Sequence, residues 1–163
     1  MPFLKALGLH NKTTVYSIWH IVRIEDIVTN TLILNQDEVL FQNNFVKRLN
    51  AIIITTGNEF LNGDIIKFSK RLDIDTLYDY ALAVKKNTDE WLNSSSYLDL
   101  KRKFTEADKE RIRSLQVVSE SEEAFWLIDY WCGRDIKALL TIPFSRHWIM
   151  HIESANRIKE KIL

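Results

Sequence analysis

Apolar residues recur at helical spacing along most of this chain. The first such stretch covers 14–34, "TVYSIWHIVRIEDIVTNTLIL", and predicts one long helix. Its apolar side carries Tyr16, His20, Ile24, Ile27, Thr31 and Leu34. A second stretch covers 75–93, and Asp75 is the predicted N-cap of this helix. The inner stripe of the second helix consists of Leu77, Tyr80, Ala81, Val84, Thr88 and Trp91.

The region 36–72, between these helices, has a less regular pattern. "TTGNEFLNGD", at 55–64, predicts a loop in which Gly57 and Gly63 can adopt positive φ. "AIIITT", at 51–56, has strand propensity but no evident second strand to pair with. We therefore predict a buried loop or a short extended segment there.

Two capping boxes predict helix starts in the C-terminal half. "TEAD", at 105–108, opens a short charged helix, with Asp108 in the place of the usual Glu. "SESE", at 119–122, is a stricter match because Ser119 and Glu122 occupy the reciprocal positions.

The end of the chain predicts two more helical pieces. Gly133 stands where a C′ glycine would end the helix that "SESE" opens. A further helical piece covers 134–142, and Pro143 then either begins the last helix, 144–161, or kinks a continuous one. Helix follows helix, so we predict an all-α bundle that forms a single domain over 1–163.

Composition argues against nucleic acids and membranes as partners. The net charge is zero, from 22 basic and 22 acidic residues, which argues against nucleic acid and gives no support for an anionic membrane. The apolar runs are far shorter than the ~20 residues that cross a bilayer. One cysteine, Cys132, excludes an internal disulfide and suits a reducing compartment. We therefore expect a cytoplasmic protein.

Histidines provide the candidate chemistry. His147 and His151 are four apart on the predicted last helix, so their Cβ atoms lie about 5–6 Å apart on one face. The rest of that face is small or apolar: Ser154, Ala155, Ile158 and Ile162. His20 lies on the apolar side of the first helix, and the inner faces of a bundle converge on one axis. Three imidazoles from two helices can hold one divalent metal ion and leave a position open, as in catalytic zinc sites.

Each of these residues also has an ordinary interpretation. A single histidine on an apolar face is usually a hydrogen-bonded core residue. No Glu follows His147 as in the zinc-protease pattern His-Glu-x-x-His, so that mechanism has no support. His10 is interpreted as a surface residue, and Cys132 as non-catalytic because no histidine neighbours it. Core positions are predicted for Trp19, Trp126, Trp131 and Trp148.

Two segments resemble the signature helices of the DinB/YfiT-like family: "SIWHIVRIED", at 17–26, and "PFSRHWIMHIESANRIKEKI", at 143–162. "TTGN", at 55–58, "FSKRLDIDTLYDYALAV", at 68–84, and "WLIDYWCGRDIKALLTIPF", at 126–144, are similar to one branch of that family. The resemblance covers nearly the whole chain after its first dozen residues. Its most specific part is the combination of an early aromatic-His helix with a terminal His-x-x-x-His helix.

The resemblance implies a bundle of antiparallel helices around a divalent metal ion, for which zinc, nickel and iron are all suitable. It implies one ligand from an early helix and two from the last, which match His20, His147 and His151. Characterised members of the family include thiol transferases that use bacillithiol or similar thiols, and a mycothiol-dependent isomerase. The implied partners are therefore a low-molecular-weight thiol and a small electrophilic substrate.

The chain departs from the family pattern before the first of these helices. The family has a long first helix there, whereas here only "MPFLKALGLHNK" precedes it, in which "FLKAL" makes little more than one turn. A bundle without one wall exposes an apolar patch, and such patches mark interfaces. We therefore expect a homodimer.

The leading hypothesis is a metal-dependent thiol S-transferase, in which the metal holds the sulfur as the reactive thiolate. A hydrolase that uses metal-bound hydroxide is the alternative enzyme. Glu25 and Glu153 are its nearest carboxylates in sequence, but helical phase turns both away from the histidines. A residue of the 55–59 loop is the remaining candidate for its general base. A third hypothesis is a non-catalytic stress-response or binding module with a structural metal. Arg23 and Arg146 border the predicted site and are candidates for contacting an anionic substrate.

Overall fold

The computed structural model describes residues 4–6 and 12–161, in which helices are joined by turns and loops. His10 lies outside these ranges, and "FLKAL" lies only partly inside them. The described part contains no β-strand; an isolated bridge joins Lys103 to Asp135. The helices are α1 (Thr14–Asp26), α2 (Phe45–Arg48), α3 (Asn62–Arg71), α4 (Ile74–Ser94), α5 (Glu106–Ser114), α6 (Glu122–Cys132), α7 (Ile136–Leu139) and α8 (His147–Glu160). An all-α fold is confirmed, and the DinB/YfiT-type arrangement stays a prediction.

The first helix has the predicted extent but changes its geometry halfway along. Thr13 caps α1 by accepting a hydrogen bond from a backbone N–H of the first turn, at 3.0 Å. From Ile27 to Leu34 the chain continues as a π-helix, which ends at Asn35 with a φ of 54°. Seven of its eight residues are buried, so this segment is enclosed on all sides. Its sequence, "IVTNTLIL", has three consecutive polar residues and gives no periodic signal from which the wider turn could be predicted.

The α4 helix confirms the predicted stripe and corrects the predicted cap. Asp73, not Asp75, is the N-cap, since its carboxylate accepts from the N–H of Thr76 at 2.8 Å. Asp75 instead lies in the first turn, where its negative charge interacts favourably with the helix dipole. The buried members of the stripe are Leu77, Tyr80, Val84, Thr88 and Trp91, while Ala81 is half-buried.

One predicted capping box is present and the other is wrong. Thr105 and Asp108 make the reciprocal hydrogen bonds that begin α5. Ser119 does not cap α6, because Ser121 is the N-cap and Ser119 accepts from its N–H at 3.2 Å. Gly133 ends α6 with a negative φ of −74°, so it is not a left-handed C′ glycine. A Cβ there would lie 2.9 Å from the carbonyl oxygen of Asp129, and this close approach accounts for the glycine.

Pro143 lies inside a continuous helical run, which decides between the two predicted alternatives. A π-helix over Leu140–Arg146 joins α7 to α8 and contains the proline. The wide turn accommodates a residue that has no N–H to donate to the preceding turn. The α8 helix begins directly after it, at His147.

Irregular backbone connects α2 to α3, mostly as predicted. Within "AIIITT", Thr56 is buried, whereas Ile52 is half exposed, so the segment is a loop that lies partly at the surface. Gly57 has the predicted positive φ, at 78°. Gly63 does not, because α3 already begins at Asn62.

The core consists of two clusters that share α1. Val15, Trp19 and Val22 pack with α2, α3 and α4. Ile24 and Val28 pack with α5, α6 and α7. The first helix is therefore the central element of the fold. None of the helices in the described ranges is long and apolar enough to cross a membrane.

Candidate metal centre

Three histidine side chains from α1 and α8 meet at one point. The Nε2 atom of His147 lies 3.2 Å from that of His20 and 3.1 Å from that of His151. One ring nitrogen from each residue lies within 4.8 Å of the other two. His20 and His147 are 127 positions apart, so helix packing brings these rings together. The structure thus assembles the three residues that the sequence singled out, and three such histidines can hold a metal ion.

The orientation of His20 is set by the loop between α2 and α3. Its Nδ1 lies 2.9 Å from the carbonyl oxygen of Thr56. A carbonyl oxygen only accepts, so Nδ1 carries the proton and Nε2 presents a lone pair towards the other rings. Tyr16 stacks on the His20 ring and donates through its hydroxyl to the carbonyl oxygen of Gly57, at 2.9 Å. This arrangement is typical of histidines that ligate metals, whose second nitrogen donates to an oxygen.

Arg23 also binds the loop between α2 and α3. Its Nε and one terminal nitrogen donate to the carbonyl oxygen of Ile54, at 3.0 and 2.6 Å. The guanidinium also pairs with Asp26 at 3.1 Å and with Glu38 at 2.7 Å, and it donates to the Tyr80 hydroxyl. Arg23 is fully buried, and these bonds satisfy it. The prediction that Arg23 contacts a substrate is therefore wrong.

All three histidines are held in the neutral form. Burial lowers the pKa of His147 to about 4, and the positive charge of Lys12 contributes. Burial lowers the pKa of His151 to about 3, with smaller contributions from His147 and Lys12. The pKa of His20 also lies well below its usual value, chiefly because of burial and secondly because of the other two rings. At neutral pH the cluster therefore offers lone pairs to a cation.

The two nitrogen separations at His147 match those around one small metal ion. Two nitrogens that bind zinc at about 2.0–2.1 Å in a tetrahedral arrangement lie about 3.3 Å apart. The observed separations of 3.1 and 3.2 Å are close to that value. In the part of the chain that the structure describes, no fourth His, Cys, Asp or Glu joins the three. The described residues therefore supply three candidate ligands, the number that open, catalytic zinc sites take from the protein.

The histidines form part of the wall of a cavity of about 470 Å³. Much of the remaining wall is apolar: Ile24, Trp126, Leu127, Trp131, Ile142, Pro143 and Met150. This volume lies in the range of about 300–1,000 Å³ that is usual for small-molecule sites. The centre thus faces a space that a substrate can enter.

Charged side chains around this cavity are of one sign. Lys12 and Arg146 line it, and no Asp or Glu does so among the described residues. Glu25 is buried elsewhere, and Glu153 is exposed on α8, as their helical phase predicts. The loop contributes Asn58 to the lining, while Glu59 accepts a hydrogen bond from Thr55.

Sequence patterns missed most of this wall, and Lys12, Asn58 and Trp126 show why. Lys12 precedes the first cap and belongs to no periodic stretch, so nothing local marks it. Asn58 lies in a loop whose position depends on long-range contacts. Trp126 was predicted to be core, yet it is 51% exposed and lines the cavity. Tyr130, one turn along α6, shares this face, and their i, i+4 spacing was the available signal.

Cys132 takes no part in the site. It is buried and does not line the cavity. Burial raises the pKa of its thiol to about 11, so it carries almost no thiolate at neutral pH.

The chain was compared with protein families, with curated proteins and with solved structures, and none of these comparisons gave a match. Its chemistry must therefore be inferred from the site itself.

Proposed function

We propose that this protein is a metal-dependent enzyme of the DinB/YfiT-like type, and specifically a thiol S-transferase. The observation that carries the proposal is the set of three neutral, mutually facing imidazoles in the wall of an apolar cavity. His20, His147 and His151 would hold the ion, for which zinc, nickel and iron are candidates. When bound, such an ion supplies a positive charge that favours the thiolate form of a thiol near neutral pH.

The residues of the chain would bind and orient the reactants. The Thr56 carbonyl orients the His20 ring, and Tyr16 stacks on it. The indole rings of Trp126 and Trp131 provide apolar surface for the carbon skeleton of an electrophile. In the overall reaction a sulfur–carbon bond forms, and the bond from that carbon to the leaving group breaks. The leaving group departs with the electron pair, and the thiol proton passes to water.

The described residues give neither rival function the feature that it needs. A hydrolase requires a general base near the reacting water, and no carboxylate lines the cavity within the described ranges. A structural metal site requires a closed shell, and the described residues supply three ligands. Transfer of a thiol needs neither feature, because the thiolate itself is the nucleophile.

A homodimer is part of this proposal. Ile149 and Ile152 on α8, and Tyr78 and Leu82 on α4, are large apolar side chains with about half or more of their surface exposed. Such side chains favour an interface.

The test combines metal content with turnover. The purified protein should contain one divalent ion per chain by elemental analysis. It should conjugate 1-chloro-2,4-dinitrobenzene to a small thiol, with release of chloride. Removal of the metal with a chelator should abolish conjugation, and its return should restore it. Hydrolysis of p-nitrophenyl acetate without any thiol would favour the hydrolase, and failure to take up metal would overturn both enzymatic functions.

A further inference from the structure

We infer that Asn58 is a further catalytic residue, whose side-chain amide donates a hydrogen bond to an oxygen atom of the electrophile while negative charge develops on that oxygen. This inference rests on the proposed function and narrows its second substrate. The electrophile is then a compound whose reacting carbon is conjugated with an oxygen-bearing group, such as a nitroarene, and not a simple alkyl halide.

Asn58 belongs to the loop segment that orients one of the candidate metal ligands. It lines the cavity together with the three histidines. Thr56, two positions earlier, accepts from Nδ1 of His20 through its carbonyl oxygen, at 2.9 Å. Gly57, between them, has a φ of 78°, and its carbonyl oxygen accepts from the Tyr16 hydroxyl at 2.9 Å. The same turn therefore holds the His20 ring and presents a polar side chain to the cavity beside it.

The hydroxyl of Thr56 determines which end of the Asn58 amide is available. This hydroxyl donates to Oδ1 of Asn58 at 2.8 Å, and it accepts from the backbone N–H of Asn58 over a longer distance of 3.5 Å. The Oδ1 atom is thus engaged within the loop, whereas Nδ2 has no hydrogen-bond partner among the described residues. An amide nitrogen carries two protons, so Asn58 offers the cavity a donor and not an acceptor.

Three other side chains of the wall are less suited to this role. The indole N–H of Trp126 already donates to the carbonyl oxygen of Glu123, at 3.0 Å. Lys12 and Arg146 carry their charges at the ends of long side chains, and ordering such side chains costs conformational entropy. A donor is most effective in catalysis when it is held in position before the charge appears. Asn58 meets this requirement because Thr56 binds its other end.

The reaction places negative charge on oxygen when the electrophile is a nitroarene. With 1-chloro-2,4-dinitrobenzene, the thiolate sulfur bonds to the carbon that carries chlorine, and an electron pair of the ring moves onto the nitro oxygens. The pair then returns to the ring, the carbon–chlorine bond breaks, and chloride leaves with the electrons of that bond. A hydrogen-bond donor at a nitro oxygen therefore stabilises the transition state more than the ground state.

The kinetic test compares this nitroarene with benzyl chloride, which contains no oxygen. The zinc-loaded protein is assayed with 3-mercaptopropionate as the thiol. Asn58→Ala should reduce kcat/KM for the nitroarene by about 10–100-fold. The loss of one such donor from a water-excluded site costs about 100–1,000-fold, and we expect less here because Asn58 is only half-buried. The value for benzyl chloride should fall far less, so the ratio of the two substrates changes.

Thr56→Val tests the positioning of the amide without removing it. This variant keeps the backbone carbonyl that binds His20 but loses the hydroxyl that binds Asn58. It should reduce kcat/KM for the nitroarene by about three- to tenfold and leave the affinity for zinc, measured by calorimetric titration, unchanged. Asn156→Ala, at an exposed position of α8 outside the cavity wall, is the control and should change none of these quantities.

An equilibrium measurement tests the donor without metal or thiol. The metal-free protein is titrated with 2,4-dinitrophenolate, a planar anion whose oxygen atoms already carry the negative charge. The unmodified protein should bind this anion about tenfold more tightly than Asn58→Ala does, since a hydrogen bond to a charged group is lost.

The outcomes separate this inference from the proposal on which it rests. If Asn58→Ala slows both electrophiles equally, or binds 2,4-dinitrophenolate as tightly as the unmodified protein, Asn58 is not the oxygen donor and this inference alone fails. If the zinc affinity of Asn58→Ala falls together with both rates, the residue supports the metal centre instead. If the unmodified protein conjugates neither electrophile, the thiol transferase proposal fails, while a tenfold difference in 2,4-dinitrophenolate affinity would still assign oxygen binding to Asn58.

Discussion

Two buried polar clusters lie one turn apart on α1, and they differ in how completely their hydrogen bonds are satisfied. At Arg23 the guanidinium donates to two carboxylates, a carbonyl and a hydroxyl. At His20 three Nε2 atoms face one another, and the buried Nδ1 of His147 has no partner. A saturated cluster stabilises the fold, whereas an unsaturated one retains capacity for a ligand. The comparison therefore assigns stability to Arg23 and chemistry to the histidines.

Removing the guanidinium gives the largest expected effect. Arg23→Met leaves the carboxylates of Asp26 and Glu38 buried without their cation, and should destabilise the protein by about 3–5 kcal/mol. Urea denaturation measures this change. The control is Arg48→Met, which breaks an exposed pair with Asp79 and should cost less than about 1 kcal/mol. If both variants lose the same small amount of unfolding free energy, the Arg23 cluster does not have the stabilising role assigned to it.

The second effect is on metal affinity. His147→Ala removes one of three ligands and should weaken zinc binding by more than about 100-fold, since even outer partners of metal ligands are worth about 10–100-fold. The same variant should leave the stability of the metal-free protein within about 1 kcal/mol, because the ring hydrogen-bonds only to the other two imidazoles, at 3.1 and 3.2 Å. Calorimetric titration and denaturation measure the two quantities. Ser154→Ala, on the same helix, is the control.

If His147→Ala caused a large loss of stability but left the zinc affinity unchanged, the assignment of His147 to metal binding would be wrong. His147 would then belong to the structural cluster, and the contrast between the two clusters would disappear.

Tyr16 binds the same loop as Arg23 and stacks on His20, and its variant should have a smaller effect. Tyr16→Phe keeps the stacked ring but removes the hydrogen bond to the Gly57 carbonyl. We expect a loss of about 0.5–1.5 kcal/mol in stability and a loss of less than about tenfold in zinc affinity. Tyr78→Phe, at an exposed position of α4, should change neither. If Tyr16→Phe also changes neither, Arg23 alone holds the loop.

The smallest expected effect is the pH dependence of stability that arises from Glu25. Burial raises the pKa of the Glu25 carboxyl above its ordinary value of 4.5, and hydrogen-bonding groups of Thr88 and Trp148 oppose that shift without cancelling it. The folded protein therefore holds this proton more tightly than the unfolded chain does. The resulting stabilisation is complete below pH 4.5 and is lost as the pH rises through the native pKa.

Glu25→Gln should consequently match the unmodified protein at pH 4 and exceed it in stability at pH 7. Glu153→Gln, at an exposed site, should show no such difference. Equal stability of Glu25→Gln and the unmodified protein at both pH values would show that the shift is absent.

The local pattern predicted what depends on neighbours in sequence. The helix at 14–34 and the stripe on α4 follow from apolar spacing, and Thr105 caps α5 through a residue three positions away. The predicted N-cap of α4 was wrong because Asp73 and Asp75 are both suitable N-cap residues and lie two positions apart. The π-helix at Ile27–Leu34 could not be predicted, because its three polar residues, Thr29, Asn30 and Thr31, are consecutive and mark no single face.

For the site, the sequence predicted the three candidate metal ligands but not the residues that hold them in position. The i, i+4 spacing of His147 and His151 is local, and the apolar phase of His20 was sufficient to place it inwards. The contact from Arg23 to the Ile54 carbonyl spans 31 positions, and the position of Lys12 depends on its packing near α8. Such long-range partners leave no periodic signal, which is why Arg23 was assigned to the substrate and Lys12 was missed.

X-ray absorption of the zinc-loaded protein tests the central claim most directly. We predict three imidazole nitrogens at about 2.0–2.1 Å and one light atom from solvent, and the appearance of a sulfur at about 2.3 Å when 3-mercaptopropionate is added. Four protein ligands that do not change on addition of the thiol, or zinc bound without imidazole, would contradict the account.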